Sequence, residues 1–191
     1  MPRDKETVRR HLQQAALDLF AERGYETTTA ADIARQAGVT ERTFFRHFPD
    51  KREILFDGEN AFMAALAQGV ASAPPGAGPL QVLFRAFVEV EAMLEGNRAF
   101  AEPRAQLIAA VPALRERSLA KTAALKQVLA DALVQRGVAE RRATLAAHAG
   151  TAAFEQAFHA WLAQAARSMH QHLIDAFDDL DTLATFGRSA Q

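Results

Sequence analysis

Two arginines four residues apart, Arg42 and Arg46, stand in a stretch that also carries Thr43, Phe44 and Phe45. On a helix turning 100° per residue, with Phe44 pointing inward, Arg42 and Arg46 fall on the opposite side and Thr43 and Phe45 flank them. That outward face is cationic and rich in hydrogen-bond donors. A few residues on, Lys51 and Arg52 occupy the expected first turn of another helix, where cations oppose the helix dipole. The placement makes sense if an anion such as phosphate binds there, since a helix N-terminus and its cations then favour the same charge. Alone, a cationic helix face signifies only solubility.

Other constellations do not reach a chemistry. Glu155 and His159, four apart, share a helix face with His148 and form at most half a metal site; they read equally as pocket polar groups or hydrogen-bonded residues beside Phe154 and Phe158. No Glu has a His three positions on, so the carboxylate-bundle metal pattern is missing. His170 and His172 are about 200° apart on a helix and are read as solvated. With four Ser, no Gly-x-Ser-x-Gly and no Gly-rich phosphate loop, hydrolase and nucleotide-enzyme readings have no foothold. Cys is absent, which excludes disulfides, a thiolate nucleophile and Cys-ligated metals. No metal and no cofactor is expected, and the protein is read as not an enzyme.

The elements that must hold this face are helical. The 191 residues include 49% apolar ones and carry 22 Lys+Arg against 23 Asp+Glu, a composition that folds. Residues 1–52 hold 10 Lys+Arg against 8 Asp+Glu, the remainder 12 against 15, a weak asymmetry of the sign a DNA-binding N-terminus needs. Val8, Leu12, Ala15, Ala16, Leu19 and Phe20 repeat as one helix face, with Gly24 as its stop, predicting a helix over Lys5–Arg23. Thr29 and Asp32 form a capping-box pattern for a short second helix ended by Gly38. Thr40 caps a third that Pro49 stops, and Asp50 with Glu53 predicts a fourth running to about Ser72. After the breakers of residues 73–79, helical spacing predicts Leu80–Glu95, Pro103–Ala110, Ala113–Arg136, Glu140–Ala166 and Ser168–Leu183. The expected class is all-α with about nine helices. The longest uncharged stretch, residues 60–84, is interrupted by Pro74, Pro75, Gly76, Gly78 and Pro79, so no membrane span is expected; with no signal pattern the protein is read as cytoplasmic.

Two short helices joined by Ala37-Gly38-Val39 meet the geometry of a helix-turn-helix. The run from Thr28 through Ile33-Ala34, Gly38-Val39-Thr40 and Phe44-Phe45-Arg46-His47-Phe48-Pro49 to Lys51, with Ala16, Phe20 and Gly24-Tyr25 before it, resembles the DNA-binding domain of the tetracycline-repressor (TetR) family. The likeness covers about 55 residues. It implies a homodimeric, ligand-responsive transcriptional regulator, most often a repressor, with an all-helical C-terminal domain. Carried over, it assigns the recognition helix to Thr40–His47, phosphate contacts to Thr29, Thr40, Thr43, His47 and Lys51, and base-edge contacts to Arg42, Thr43 and Arg46. The family most often has Tyr where this chain has Phe45. Lacking the hydroxyl, Phe45 either packs on a thymine methyl or lies along the groove wall.

The expected organisation is a DNA-binding domain over 1–52 and a ligand-binding and dimerisation domain over 53–191, with a helix-4 connector over 50–72 and a loop over 73–79. Double-stranded DNA with a near-palindromic operator and a small-molecule effector are the expected partners, and no membrane. Alternatives from other classes are a helical interaction protein and a helical-bundle enzyme. An apolar pocket would draw on Phe84, Phe87, Val88, Phe100, Arg104, Leu107, Leu125, Phe154, Phe158, His159 and Trp161. A homodimer is expected through the last two helices, where Ala143, Ala146, Ala147, Ala149, Gly150, Ala152, Ala153 and Ala157 permit close approach and Leu173, Ile174, Phe177 and Leu180 form a stripe. Helix 4 would be the lever between the two cores.

Overall fold

The computed structural model describes residues 5–164 and 166–184. Among them are nine α-helices and no strand: α1 Lys5–Arg23, α2 Ala30–Gln36, α3 Glu41–His47, α4 Glu59–Ser72, α5 Pro79–Glu95, α6 Arg98–Ala110, α7 Pro112–Gln135, α8 Glu140–Ala163 and α9 Met169–Ala184. The all-α expectation holds. Two compact units emerge, one gathering the residues up to Glu59 with Ala99–Ser118, the other Asn60–Arg98 with those from Leu119 onward.

In the first unit α1 buries Val8, Leu12, Ala15, Ala16, Leu19 and Phe20, the stripe its spacing announced. Ile33, Ala34, Phe44 and Phe48 close the core from α2 and from the α3 region, each at most 2% exposed. Burying a side chain of that size is worth about 1.5–3 kcal/mol, more than a seven-residue helix gains from its own propensity. The turn between α2 and α3 is a Schellman motif: Val39 N–H donates to Ala34 O and Gly38 N–H to Arg35 O, with Gly38 at φ 67°.

One unexpected contributor completes this core. Leu114, at the start of α7, is fully buried within it, and Phe100, Leu107, Ile108 and Val111 pack against it. The compact unit therefore runs past residue 52 and recruits a segment far along the chain.

The expected continuous helix from Asp50 to Ser72 does not form. Asp50 caps as foreseen, accepting from the N–H groups of Arg52 and Glu53, but it starts only a 3-10 turn over Glu53–Phe56. Asp57 then turns extended and Gly58 takes φ 85°, a left-handed conformation that suits glycine, before α4 begins. Long-range partners hold the break. The Asp57 carboxylate accepts from Arg9 (Nε 3.0 Å) and Gln13, Arg104 Nε donates to Leu55 O and its other nitrogen pairs with Glu59 at 3.0 Å, and Arg117 pairs with Glu53 at 2.7 Å. The helix expected to start at Pro103 begins instead at Arg98 and carries Pro103 inside it, because burial of Ala101 and packing of Phe100 outweigh the hydrogen bond proline removes.

In the second unit α8 and α9 pair and both pack on α5. Most small residues of α8 serve this packing: Ala143, Ala146, Ala147, Gly150, Ala153 and Ala157 are buried within the chain, and a Cβ at Gly150 would lie 2.8 Å from Leu83 Cδ1. Leu173 is likewise fully buried, and Phe177 meets Phe84 at 5.3 Å. These residues, expected to serve the dimer, thus close the core of a single chain. Only part of either stripe is left outward.

Leu114→Ala should cost about 2–5 kcal/mol by opening a cavity, and amide exchange in α1, α2 and α3 should accelerate with it. Unchanged protection of those three helices would contradict the shared core.

Candidate nucleic-acid interface

Because Phe44 is fully buried and meets Phe48 at 5.8 Å, the rotation of α3 about its axis is set. Arg42 and Arg46 are exposed, and among the described residues neither makes an ion pair. Phe45 is 51% exposed and stands edge-on to Phe44 at 5.3 Å. A large apolar ring held outward between two unengaged guanidinium groups is the face the sequence spacing described.

The hydroxyls around this face differ in what they have left to give. Thr40 caps α3 by accepting from Thr43 N–H at 3.2 Å, and the two hydroxyl oxygens are 3.0 Å apart. One O–H bridges them, so the pair retains one O–H for a phosphate. Thr29 is engaged differently. Its hydroxyl donates to Asp32 Oδ2 at 2.6 Å while accepting from Asp32 N–H, and its own N–H donates to the same carboxylate. These bonds, joined by the Arg35 pair, hold the Asp32 carboxyl below its usual range. The capping box is complete, and Thr29 can offer a phosphate an O–H only by releasing Asp32.

His47 turns Nε2 inward, where that atom is buried and has no partner among the described residues. Desolvation, reinforced by Arg46, Arg9 and Lys5 and opposed by Asp57, holds the imidazole below its ordinary value. A neutral ring with its proton on Nδ1 leaves only a bare lone pair at the buried position, the less costly orphan.

Lys51 does not open a helix as expected; it lies in the turn before Glu53. Its ammonium donates to the carbonyls of Tyr25, Glu26 and Thr28 at 2.7, 3.3 and 3.1 Å and lies 4.3 Å from the Tyr25 ring centroid.

The residues expected to line a pocket divide between the units. Phe100, Arg104 and Leu107 belong to the first, where the half-buried Arg104 guanidinium lies over Phe56 and has its pKa lowered by desolvation. Phe84, Phe87, Val88, Leu125, Phe154, Phe158, His159 and Trp161 belong to the second. There Phe87 stacks on Phe154 at 4.6 Å, Phe158 meets Trp161 at 5.7 Å, and Arg98 lies over Trp161 at 4.4 Å. His159 is exposed, and Glu155 accepts from the Thr122 hydroxyl at 3.2 Å. Buried polar atoms of Thr151, Trp161 and His172 have no partner among the described residues. His172, expected in solvent, is instead buried at 4% exposure, because its side of α9 faces the helix packing; Thr151 was missed, although it shares the helical stripe of Phe154, Phe158 and Trp161 and could have been found from it. No group of three or more potential metal ligands occurs among the described residues, and no helix there is long and apolar enough to cross a membrane.

Residues 12–57 match the family model of bacterial regulatory proteins, tetR family, and residues 77–184 match the MftR C-terminal domain. The regulator TcmR of Streptomyces glaucescens is 40% identical over 80 residues, 42% of this chain and 35% of that protein. The mycofactocin biosynthesis transcriptional regulator MftR of Mycobacterium tuberculosis is 27% identical over 135 residues, 70% of this chain and 68% of that protein. The chain thus spans about a third of the first relative's length and two thirds of the second's. Among solved structures, a SmeT–triclosan complex superposes with a TM-score of 0.64 at 19% identity, covering 92% of this chain and 90% of the other. FadR of Thermus thermophilus in complex with lauroyl-CoA gives 0.56 at 24% identity, covering 90% and 92%. At such identities these two likenesses speak for the fold. The sequence matches speak for descent: with its helix-turn-helix head matched by one family model and more than half its length by the other, the chain belongs to the TetR family of bacterial transcriptional regulators, which are DNA-binding proteins and not enzymes.

Proposed function

We propose that the chain is a homodimeric repressor, acting in the cytoplasm, that reads a near-palindromic operator and is released from it by a small apolar effector. The observation that carries the DNA reading is the outward face of α3, where Arg42 and Arg46 stand exposed while Phe44 and Phe48 anchor the helix from behind. Arg42, Thr43 and Arg46 reach base edges, the Thr40–Thr43 hydroxyl pair and His47 meet phosphates, and Phe45 lies against the groove wall or a thymine methyl. Dimerisation uses what α8 and α9 leave outward: Leu145, 70% exposed, with exposed Ala152 two turns further along the same stripe, and Ile174, 38% exposed. Two such chains present recognition helices to half-sites about 34–36 Å apart.

The effector reading is supported by the aromatic interior of the second unit and by the buried polar atoms of Thr151, Trp161 and His172, which have no partner among the described residues and of which Trp161 Nε1–H can only donate. They suit a largely apolar molecule bearing at least one hydrogen-bond acceptor. Proteins of the same fold were solved with triclosan, which is largely apolar, and with lauroyl-CoA, which joins an apolar acyl chain to a charged nucleotide. The chain passes between the units at residues 59–60, 98–99 and 118–119, so a rearrangement around a ligand has three covalent routes to the DNA-reading unit.

Arg42→Ala should cost about 1–3 kcal/mol in operator binding and relax the preference at particular base pairs; an unchanged ranking of operator variants in a binding-site selection contradicts the assignment. A phosphate beside His47 would raise the pKa that burial lowers, so the complex takes up a proton and affinity rises as pH falls from about 7.5 to about 6. His47→Gln should flatten that dependence, and equal pH profiles for both proteins would exclude a contact made by the protonated ring. Effector and operator should weaken each other by the same factor, about 5–150-fold for a coupling of 1–3 kcal/mol. Calorimetric titration of effector with and without operator checks it: equal effector affinities would leave a constitutive DNA binder.

A further inference from the structure

We infer that Lys51 is a positioning residue of the DNA-reading head and not one of its phosphate contacts. The inference rests on the DNA-binding reading and changes which cations that reading assigns to the backbone of the duplex.

An ammonium has three N–H donors and no more. Those of Lys51 face three carbonyl oxygens, of Tyr25 at 2.7 Å, Thr28 at 3.1 Å and Glu26 at 3.3 Å. The same ammonium lies 4.3 Å from the Tyr25 ring centroid. Burial pushes the Tyr25 phenol up to about 12, so that ring stays neutral and presents an electron-rich face to the cation. A phosphate oxygen, which can only accept, finds no free N–H on this nitrogen unless a carbonyl is given up. The acceptors are also well chosen by geometry. Three converging carbonyls suit a compact tetrahedral ammonium, whereas the planar fork of an arginine cannot address them together.

What the contact joins explains its use. Tyr25, Glu26 and Thr28 lie between the end of α1 and the cap of α2, and Lys51 lies after the end of α3. The bond to Thr28 spans 23 positions, so one side chain closes the loop that holds α2, the Gly38 turn and α3. Thr28 is fixed from its other side as well, its hydroxyl donating to Gly24 O at 2.8 Å. The next residue is Thr29, the cap of α2. Lys51 therefore sets where the helix-turn-helix starts and ends relative to α1, and acts on DNA through the placement of α3.

The charge of Lys51 survives substitution by arginine but its donor geometry does not, which separates the two roles. Full-length wild type, K51R and K51M are titrated with a duplex of random sequence over a range of KCl concentrations, with amide exchange measured on each protein. The expected result is that K51R binds as poorly as K51M, that amides of α2 and α3 exchange faster in both, and that the slope of log K against log[salt] stays within about 0.3 of wild type, well short of the ~0.9 that one lost phosphate contact removes. K51R binding like wild type, with K51M losing about one unit of slope and no amide exchanging faster, would overturn the inference. If neither variant folds, the wild-type protein decides. A slowly exchanging Lys51 ammonium, seen by ¹⁵N NMR in the free protein and unshifted by added duplex, supports the positioning role, and a signal that appears or moves only with duplex refutes it. Failure of the wild type to bind any duplex would defeat the DNA reading instead, while the free-protein ammonium signal still reports on Lys51.

Discussion

A helix of seven residues does not persist in water, since nucleation costs more than two turns return. Both α2 and α3 have that length, so the DNA-reading surface exists only because Phe44, Phe48, Ile33 and Ala34 are buried against α1. The same burial fixes rotation. Once Phe44 points into the core, Arg42 and Arg46 can only face outward, and the chemistry of the protein follows from one ring's position.

Cations in this head divide into two kinds. Arg42 and Arg46 are left without ion pairs among the described residues, while Arg9, Arg104, Arg117 and Lys51 are turned onto carboxylates and carbonyls of the chain itself. Three of the inward ones grip residues 53–59, the stretch where a continuous helix fails to form. A half-buried guanidinium such as Arg104 is best kept with its partners in place, because taking a charge partly out of water without pairing it costs free energy. The 3-10 turn, the extended Asp57 and the left-handed Gly58 are thus held by their surroundings more than by local preference.

The second unit follows another logic. Aromatic rings from α4, α5, α8 and α9 meet one another through Phe62, Phe87, Phe154 and Phe177, giving an interior with shape but little polarity. Against that background the atoms of Thr151, Trp161 and His172 that lack a partner among the described residues stand out, since such an atom costs about 1–3 kcal/mol when nothing bonds to it.

Periodicity and caps were enough to read the class, the nine helices, the capping box of Thr29 and Asp32, the Gly38 turn and the outward face of α3. All of these depend on residues three to five positions apart, whose geometry a helix imposes on itself. Tertiary structure alone decided the rest. Asp50 and Glu53 look like the start of a long helix, and it is distant partners that break it: Arg9, 48 positions before Asp57, Arg104, 49 after Leu55, and Arg117, 64 after Glu53. Lys51 reads as a free cation at a helix start until Tyr25, Glu26 and Thr28 are brought beneath it. The small residues of α8 fit a close helix pair equally well within one chain or between two, and Leu83 against Gly150 assigns most of them to the first. Such contacts join residues whose separation along the chain carries no signal, because their distance is set by how whole helices pack.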